Sequence, residues 1–141
     1  MPPTLRRFLL VFLSVNFVAV GILHFVKGEL FAQIVPPPLP PLLTAWASGV
    51  AEIALGIGVA IPRTRKLAAW GLVALLVAVF PANIYMAVAN VEIHGLPSFM
   101  SQPSPAARWV RLPFQAVFIA WAWLFTREPA PPTPPAKKAA A

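Results

Sequence analysis

The chain has 141 residues, enough for one domain, of which 59% are hydrophobic and 11% charged, with a mean hydropathy of +0.76. Soluble domains carry roughly 25% charged residues, so this composition calls for a bilayer to cover its surface. The net charge of +7 lies between apolar runs rather than along one face, which argues against a nucleic-acid reader. The absence of cysteine excludes disulfides, thiol chemistry, cysteine-bound zinc and iron–sulfur clusters.

The first apolar stretch runs from Phe8 to Val26, behind Arg6 and Arg7. Its basic start and the small residues of Ala19-Val20-Gly21 also fit a signal peptide. An uninterrupted run through Phe25-Val26 exceeds the roughly 7–15 residues of a signal core, however, and favours a retained helix. Asn16 falls near its middle and His24 close to its outer end.

Residues 27–40 differ in character. Leu30, Phe31, Ile34 and Val35 recur at helical spacing ahead of Pro36-Pro37-Pro38. A short amphipathic helix in the membrane interface is expected there, either a lid over an outer cavity or a surface anchor.

The second long helix is expected over about 41–61, between Pro40-Pro41 and Pro62. Glu52 falls ~16 Å from its start by helical rise. A charge at that depth costs on the order of 3 kcal/mol or more, so it must be neutral, paired or facing water. Ala45, Gly49, Gly56 and Ala60 share its face, with Ser48 alongside, and small residues so spaced let helices approach closely. The link from Pro62 to Lys66 is short enough to make the next helix, about 67–91, an antiparallel neighbour.

Asn83 lies ~12 Å from the outer end of that third helix by helical rise, beside Pro81. A fourth helix is expected over about 105–126, with Ser104 as its N-cap and Pro105 in its first turn. Arg111, ~9 Å inside it, shares a face with Gln115 at i+4, around Pro113. Two prolines in two helices at one level free backbone carbonyls there. Residues 129–141, rich in proline and alanine, read as a disordered tail after a 1–128 membrane domain.

Each apolar stretch is close to the ~20 residues that cross a ~30 Å hydrocarbon core. The expected fold is an all-α integral membrane protein, a four-transmembrane-helix antiparallel bundle with a short interfacial helix in the first loop. Arg6, Arg7, Arg63, Arg65, Lys66, Arg127, Lys137 and Lys138 then fall on one side, and only Lys27 and Arg108 clearly on the other. The positive-inside rule makes the basic side cytoplasmic, with both termini there. Trp46, Trp70, Trp109, Trp121 and Trp123 lie mostly near helix ends, as interfacial anchors do.

A polar cluster of Glu52, Arg111, Asn83, Gln115, His24, Asn16 and Ser48 thus gathers in the outer half. Glu52 is expected to pair with Arg111 or His24, whereas Asn16 and Asn83 also suit interhelical hydrogen bonding. No metal site is expected. Two histidines, one of them (His94) in a loop, do not suggest a bis-histidine haem.

Several motifs add to this reading. They are Gly21-Ile22-Leu23-His24-Phe25; Phe31 with Ile34-Val35-Pro36-Pro37 and Leu39-Pro40; and Ser48-Gly49-Val50-Ala51-Glu52 with Gly56. Arg63 and Arg65 before Ala69-Trp70, Phe80-Pro81-Ala82-Asn83-Ile84-Tyr85-Met86, and Arg111-Leu112-Pro113 with Gln115 complete the set. From about Gly21 to Arg127 the chain resembles the DoxX family of small bacterial membrane proteins, named after a subunit of a thiosulfate:quinone oxidoreductase. The resemblance implies a four-helix fold in the bacterial cytoplasmic membrane and an association with redox or stress-response systems. It adds Tyr85 to the candidate site residues.

The leading expectation is an accessory component that binds a quinone or lipid and contacts a membrane-protein partner or a second copy of itself. The alternatives are a small membrane enzyme working through Glu52 and His24 on a lipophilic substrate, and a proton-coupled transporter. Small multidrug transporters carry their glutamate in the first helix, and here that helix has none.

Overall fold

The computed structural model describes residues 1–97 and 104–127, and the described residues are helical without strands. The helices are α1 (Pro3–Val26), α2 (Gly28–Ala32), α3 (Pro41–Ala60), α4 (Arg65–Val88) and α5 (Pro105–Leu124). The expected tail lies outside the described residues.

Three of them, α1, α3 and α4, are long and apolar enough to cross a membrane. The twenty residues of α5 include Arg108, Arg111 and Gln115, which lower its hydropathy. Large apolar side chains stay outside throughout, among them Phe8, Val15, Leu67 and Val117, each more than half exposed. A soluble surface carries such residues singly; here they cover helix after helix, as lipid-facing surfaces do.

Helix boundaries follow local chemistry. Pro3, Pro41 and Pro105 each stand in a first turn, where a missing N–H costs nothing. Helix α1 therefore begins five residues before the apolar run and carries Arg6 and Arg7 within it. Ser104 caps α5 as expected, its Oγ accepting from the Ala107 N–H at 3.3 Å. Helix α4 stops at Val88 rather than near Val91, because Asn90 takes a left-handed φ of 53°, which ends a helix.

The end of α3 is capped by the turn that follows it. Thr64 Oγ1 donates to Gly58 O at 2.7 Å, while Arg65 donates from Nε to Val59 O and from Nη2 to Ala60 O, both at 3.0 Å. Carbonyls left over at a helix terminus are thereby satisfied, and α3 turns directly into α4.

The most extensive packing is that of α1 on α3, followed by α4 on α5 and α3 on α4, each pair antiparallel. Aromatic contacts join α5 back to α1: Phe12 stacks on Trp121 at 5.6 Å between centroids, and Phe17 meets Phe118 edge-on at 6.4 Å. Trp121 is therefore a packing residue and not a free interfacial anchor. Towards the end where Arg6 donates to Arg127 O, Leu10, Leu13, Phe17, Val59, Ala68, Ala69, Leu72, Ala122 and Phe125 form one dry core.

Candidate functional site

Towards the α2 end the interior opens into a cavity of about 400 Å³. Its position depends on how closely α1 and α3 approach. A Cβ on Gly49 would lie 2.6 Å from His24 Cβ and 2.9 Å from Gly21 O, and one on Gly21 would lie 2.8 Å from Gly49 O. Only glycine at both positions allows this backbone-to-backbone contact. Helical side chains lean toward the N-terminus of their own helix. In antiparallel helices the side chains of His24, after Gly21, and Glu52, after Gly49, therefore lean toward each other.

They meet. His24 Nδ1 lies 3.1 Å from Glu52 Oε2 and 3.0 Å from Val20 O. A carbonyl only accepts, so Nδ1 carries the hydrogen. That hydrogen is directed at Val20, and Oε2, although close, is buried without a well-aligned hydrogen bond. Glu52 is only 9% exposed and His24 7%. The ring of Phe31, from α2, stacks on His24 with centroids 3.8 Å apart.

The remaining walls come from three elements. Thr44 and Ser48 continue the line of Glu52 along α3; Ala78, Pro81 and Asn83 face them from α4; and Phe31, Ile34, Val35, Pro36 and Leu39 roof the space. The segment expected to be a lid or an anchor thus covers a cavity. It is held from its other side, where Gln33 Nε2 donates to His94 O at 3.1 Å and His94 N–H donates to Gln33 Oε1 at 2.7 Å.

Asn83 is anchored behind the cavity. Its Nδ2 donates to Gln115 Oε1, and Gln115 Nε2 donates to Leu76 O at 2.5 Å, a carbonyl five residues ahead of Pro81. Gln115, 5% exposed, therefore braces Asn83 and does not line the cavity.

Of the residues singled out in the sequence, Glu52, His24, Ser48 and Asn83 converge on this cavity. Arg111 does not reach Glu52: its Nη1 lies 2.7 Å from Met86 Sδ, so of the two expected partners it is His24 that stands beside the carboxylate. Asn16 and Tyr85 are half-buried and outside the lining. Thr44 and the Phe31–His24 stack were not anticipated. Thr44 was within reach, since Thr44, Ser48 and Glu52 repeat at i+4 and define a polar stripe on one helix face. The stack depends on how α2 folds back, and no local spacing encodes that.

Chemically, the site offers a buried carboxylate, an imidazole, a fixed amide and the hydroxyls of Thr44 and Ser48 in a space whose remaining walls are apolar, the arrangement of a pocket for an amphiphile. Among the described residues no group of three or more metal-ligating side chains forms. No curated protein and no solved structure matches the chain. A family model described as a domain of unknown function, DUF8561, matches residues 13–126, a stretch that contains every cavity residue. The chain thus belongs to the DUF8561 family.

Proposed function

We propose that this protein is a membrane-embedded binder of a lipophilic small molecule, a quinone or a lipid, held with its polar head against Glu52, His24 and Asn83. The observation that carries this reading is the carboxylate of Glu52, almost fully buried yet lining an apolar-walled cavity. An acidic group at membrane depth is costly unless it serves a partner. Its one close polar neighbour is His24 Nδ1, 3.1 Å from Oε2, and no well-aligned hydrogen bond reaches that oxygen.

In this reading α5 spans alongside α1, α3 and α4 to complete a four-helix bundle, with α2 in the interface. The basic ends at Arg6, Arg7, Arg63, Arg65 and Arg127 face the cytoplasm, as the positive-inside rule requires. The DoxX likeness rests on sequence motifs alone; it supports a bacterial inner membrane and an accessory role in a redox or stress-response system. The test is to purify the protein in mild detergent and identify co-purifying molecules by native mass spectrometry. A quinone or lipid carried by the wild type and lost in Glu52→Gln is expected. An empty, dry bundle would remove the proposal.

One observation favours a second reading, catalysis on a lipophilic substrate: two titratable side chains stand 3.1 Å apart at the cavity wall, within reach of one substrate atom for acid–base work. Turnover that survives Glu52→Gln combined with His24→Ala would dismiss it.

A further inference from the structure

The other end of the bundle, past the dry core, holds a second space that the Glu52 site does not use. A recess of about 430 Å³ lies between the start of α1 and the α3–α4 turn, lined by Arg6, Arg7 and Arg65 with Leu10 and Pro62. Its size falls within the roughly 300–1,000 Å³ of small-molecule sites. Three like charges around one space repel one another, and the chain has little to set against them. It carries four acidic residues. Glu29 and Glu52 line spaces at the α2 end, and Glu92 lies past the far end of α4. That leaves Glu128, after Arg127 in the sequence, against Arg6, Arg7, Arg63, Arg65, Lys66 and Arg127.

Two of the three guanidiniums in the recess are held in place. Arg65, half-buried, uses two of the five N–H donors of a guanidinium on Val59 O and Ala60 O. Arg6, also half-buried, donates to Arg127 O at 3.3 Å and lies over the Phe125 ring, 5.3 Å from its centroid. Arg7 is exposed and makes no hydrogen bond with the described residues. Most N–H donors of the three thus remain for a ligand, and two of the heads are already ordered to receive it. Helices α1 and α4 both begin at this end, so their first-turn N–H groups add to the positive potential.

We propose that this recess binds a phosphate group of net negative charge, supplied by an anionic phospholipid of the surrounding membrane. Arginine forks match the paired oxygens of a phosphate, and basic pockets between membrane helices take such head groups. The apolar surface beside the arginines favours a lipid as the source. Val11 follows Arg7 by one helical turn on the same face and is more than half exposed, as is Phe8. A head group held at the arginines thus has apolar protein surface for its acyl chains, from which a free phosphate ester gains nothing. The site is separate from the Glu52 cavity and does not depend on what that cavity binds.

The test titrates the full chain in detergent, read by native mass spectrometry, with phosphatidylglycerol and phosphatidylcholine of matched chains and with glycerol 3-phosphate as the free ester. The wild type is expected to bind phosphatidylglycerol roughly tenfold or more tighter than phosphatidylcholine, and glycerol 3-phosphate far more weakly than either. Arg7→Gln, which breaks no hydrogen bond within the protein, should lower the preference about fivefold, the worth of one basic residue at an anionic surface. Arg7→Lys should keep most of it, and Arg6→Gln combined with Arg7→Gln should abolish it. Glu52→Gln should leave it intact. Equal binding of the two lipids by the wild type overturns the proposal, as does a preference that survives the double variant or disappears in Glu52→Gln. Glycerol 3-phosphate bound as tightly as phosphatidylglycerol would assign the recess to a soluble ester and overturn the lipid source. The wild-type comparison and the single Arg7→Gln variant keep the test decisive even if the double variant, checked by its melting curve, fails to fold.

Discussion

Helix α1 makes two kinds of contact along its length. Between Leu10 and Phe17 it joins an apolar cluster with α3, α4 and α5, in which Leu13, Val59, Ala69 and Leu72 are wholly buried. Between Gly21 and His24 it approaches α3 backbone to backbone and turns the His24 side chain toward a space roofed by Phe31 of α2 and by Ile34, Val35, Pro36 and Leu39 after it. In the first region stability comes from shape, since lipid and protein interior are equally apolar and packing alone separates them. In the second, close approach of the backbones brings together groups that water would otherwise solvate. The dry end holds the helices in place; the polar end makes use of where they are held.

The sharpest way to break the comparison is at the glycine contact. Gly49→Leu places side-chain atoms where His24 and the α1 backbone already stand. It is expected to cost about 3 kcal/mol, the upper part of the range for overpacking, and to abolish ligand retention. Circular dichroism melts in detergent check the first outcome and native mass spectrometry the second. Val50→Leu, on the exposed neighbouring position, should do neither.

A change in the dry core should separate the two regions. Leu72→Ala removes a fully buried side chain. It is expected to lower stability by about 2 kcal/mol, the low end for such truncations, because in lipid only the packing contribution is lost. Ligand retention should persist below the melting transition. If it vanished at a temperature where the helices are intact, the two ends would not be independent.

Glu52→Gln should show the opposite pattern: a melting curve close to wild type and about a tenfold loss of bound ligand, equivalent to about 1.4 kcal/mol. The smallest effect is expected at Gln33→Ala. It removes the paired hydrogen bonds to His94, worth about 1 kcal/mol each at most at an exposed site. Faster amide exchange in α2 and a shorter ligand residence time, with unchanged exchange in α1 and α3, are the readouts. Unchanged exchange in α2 would mean that the roof is held by Phe31 and its neighbours alone.

Much of this architecture was legible from composition and periodicity. Long apolar stretches, prolines at helix starts and a short basic turn between the second and third long helices locate the elements to within a few residues. Even the ends that shifted did so for local reasons, Pro3 in a first turn and Asn90 with its left-handed φ. The Glu52 face with its glycines was also visible, because helical spacing alone puts Gly49, Glu52 and Gly56 on one side.

Partner choice was not visible. Glu52 had two basic candidates in the sequence. The structure sets it beside His24 and places Arg111 on Met86, since the glycine contact draws α1 against α3 while Arg111 extends along α4. The roles of Gln115, a brace behind Asn83, and of Phe31, a ring on His24, are likewise tertiary. By itself the sequence determined which segments become helices and which of their faces are small or polar, because those follow from short-range sterics and the 3.6-residue period. Only the tertiary structure decided which polar groups meet, because that depends on how closely whole helices approach and on a loop folding back over them.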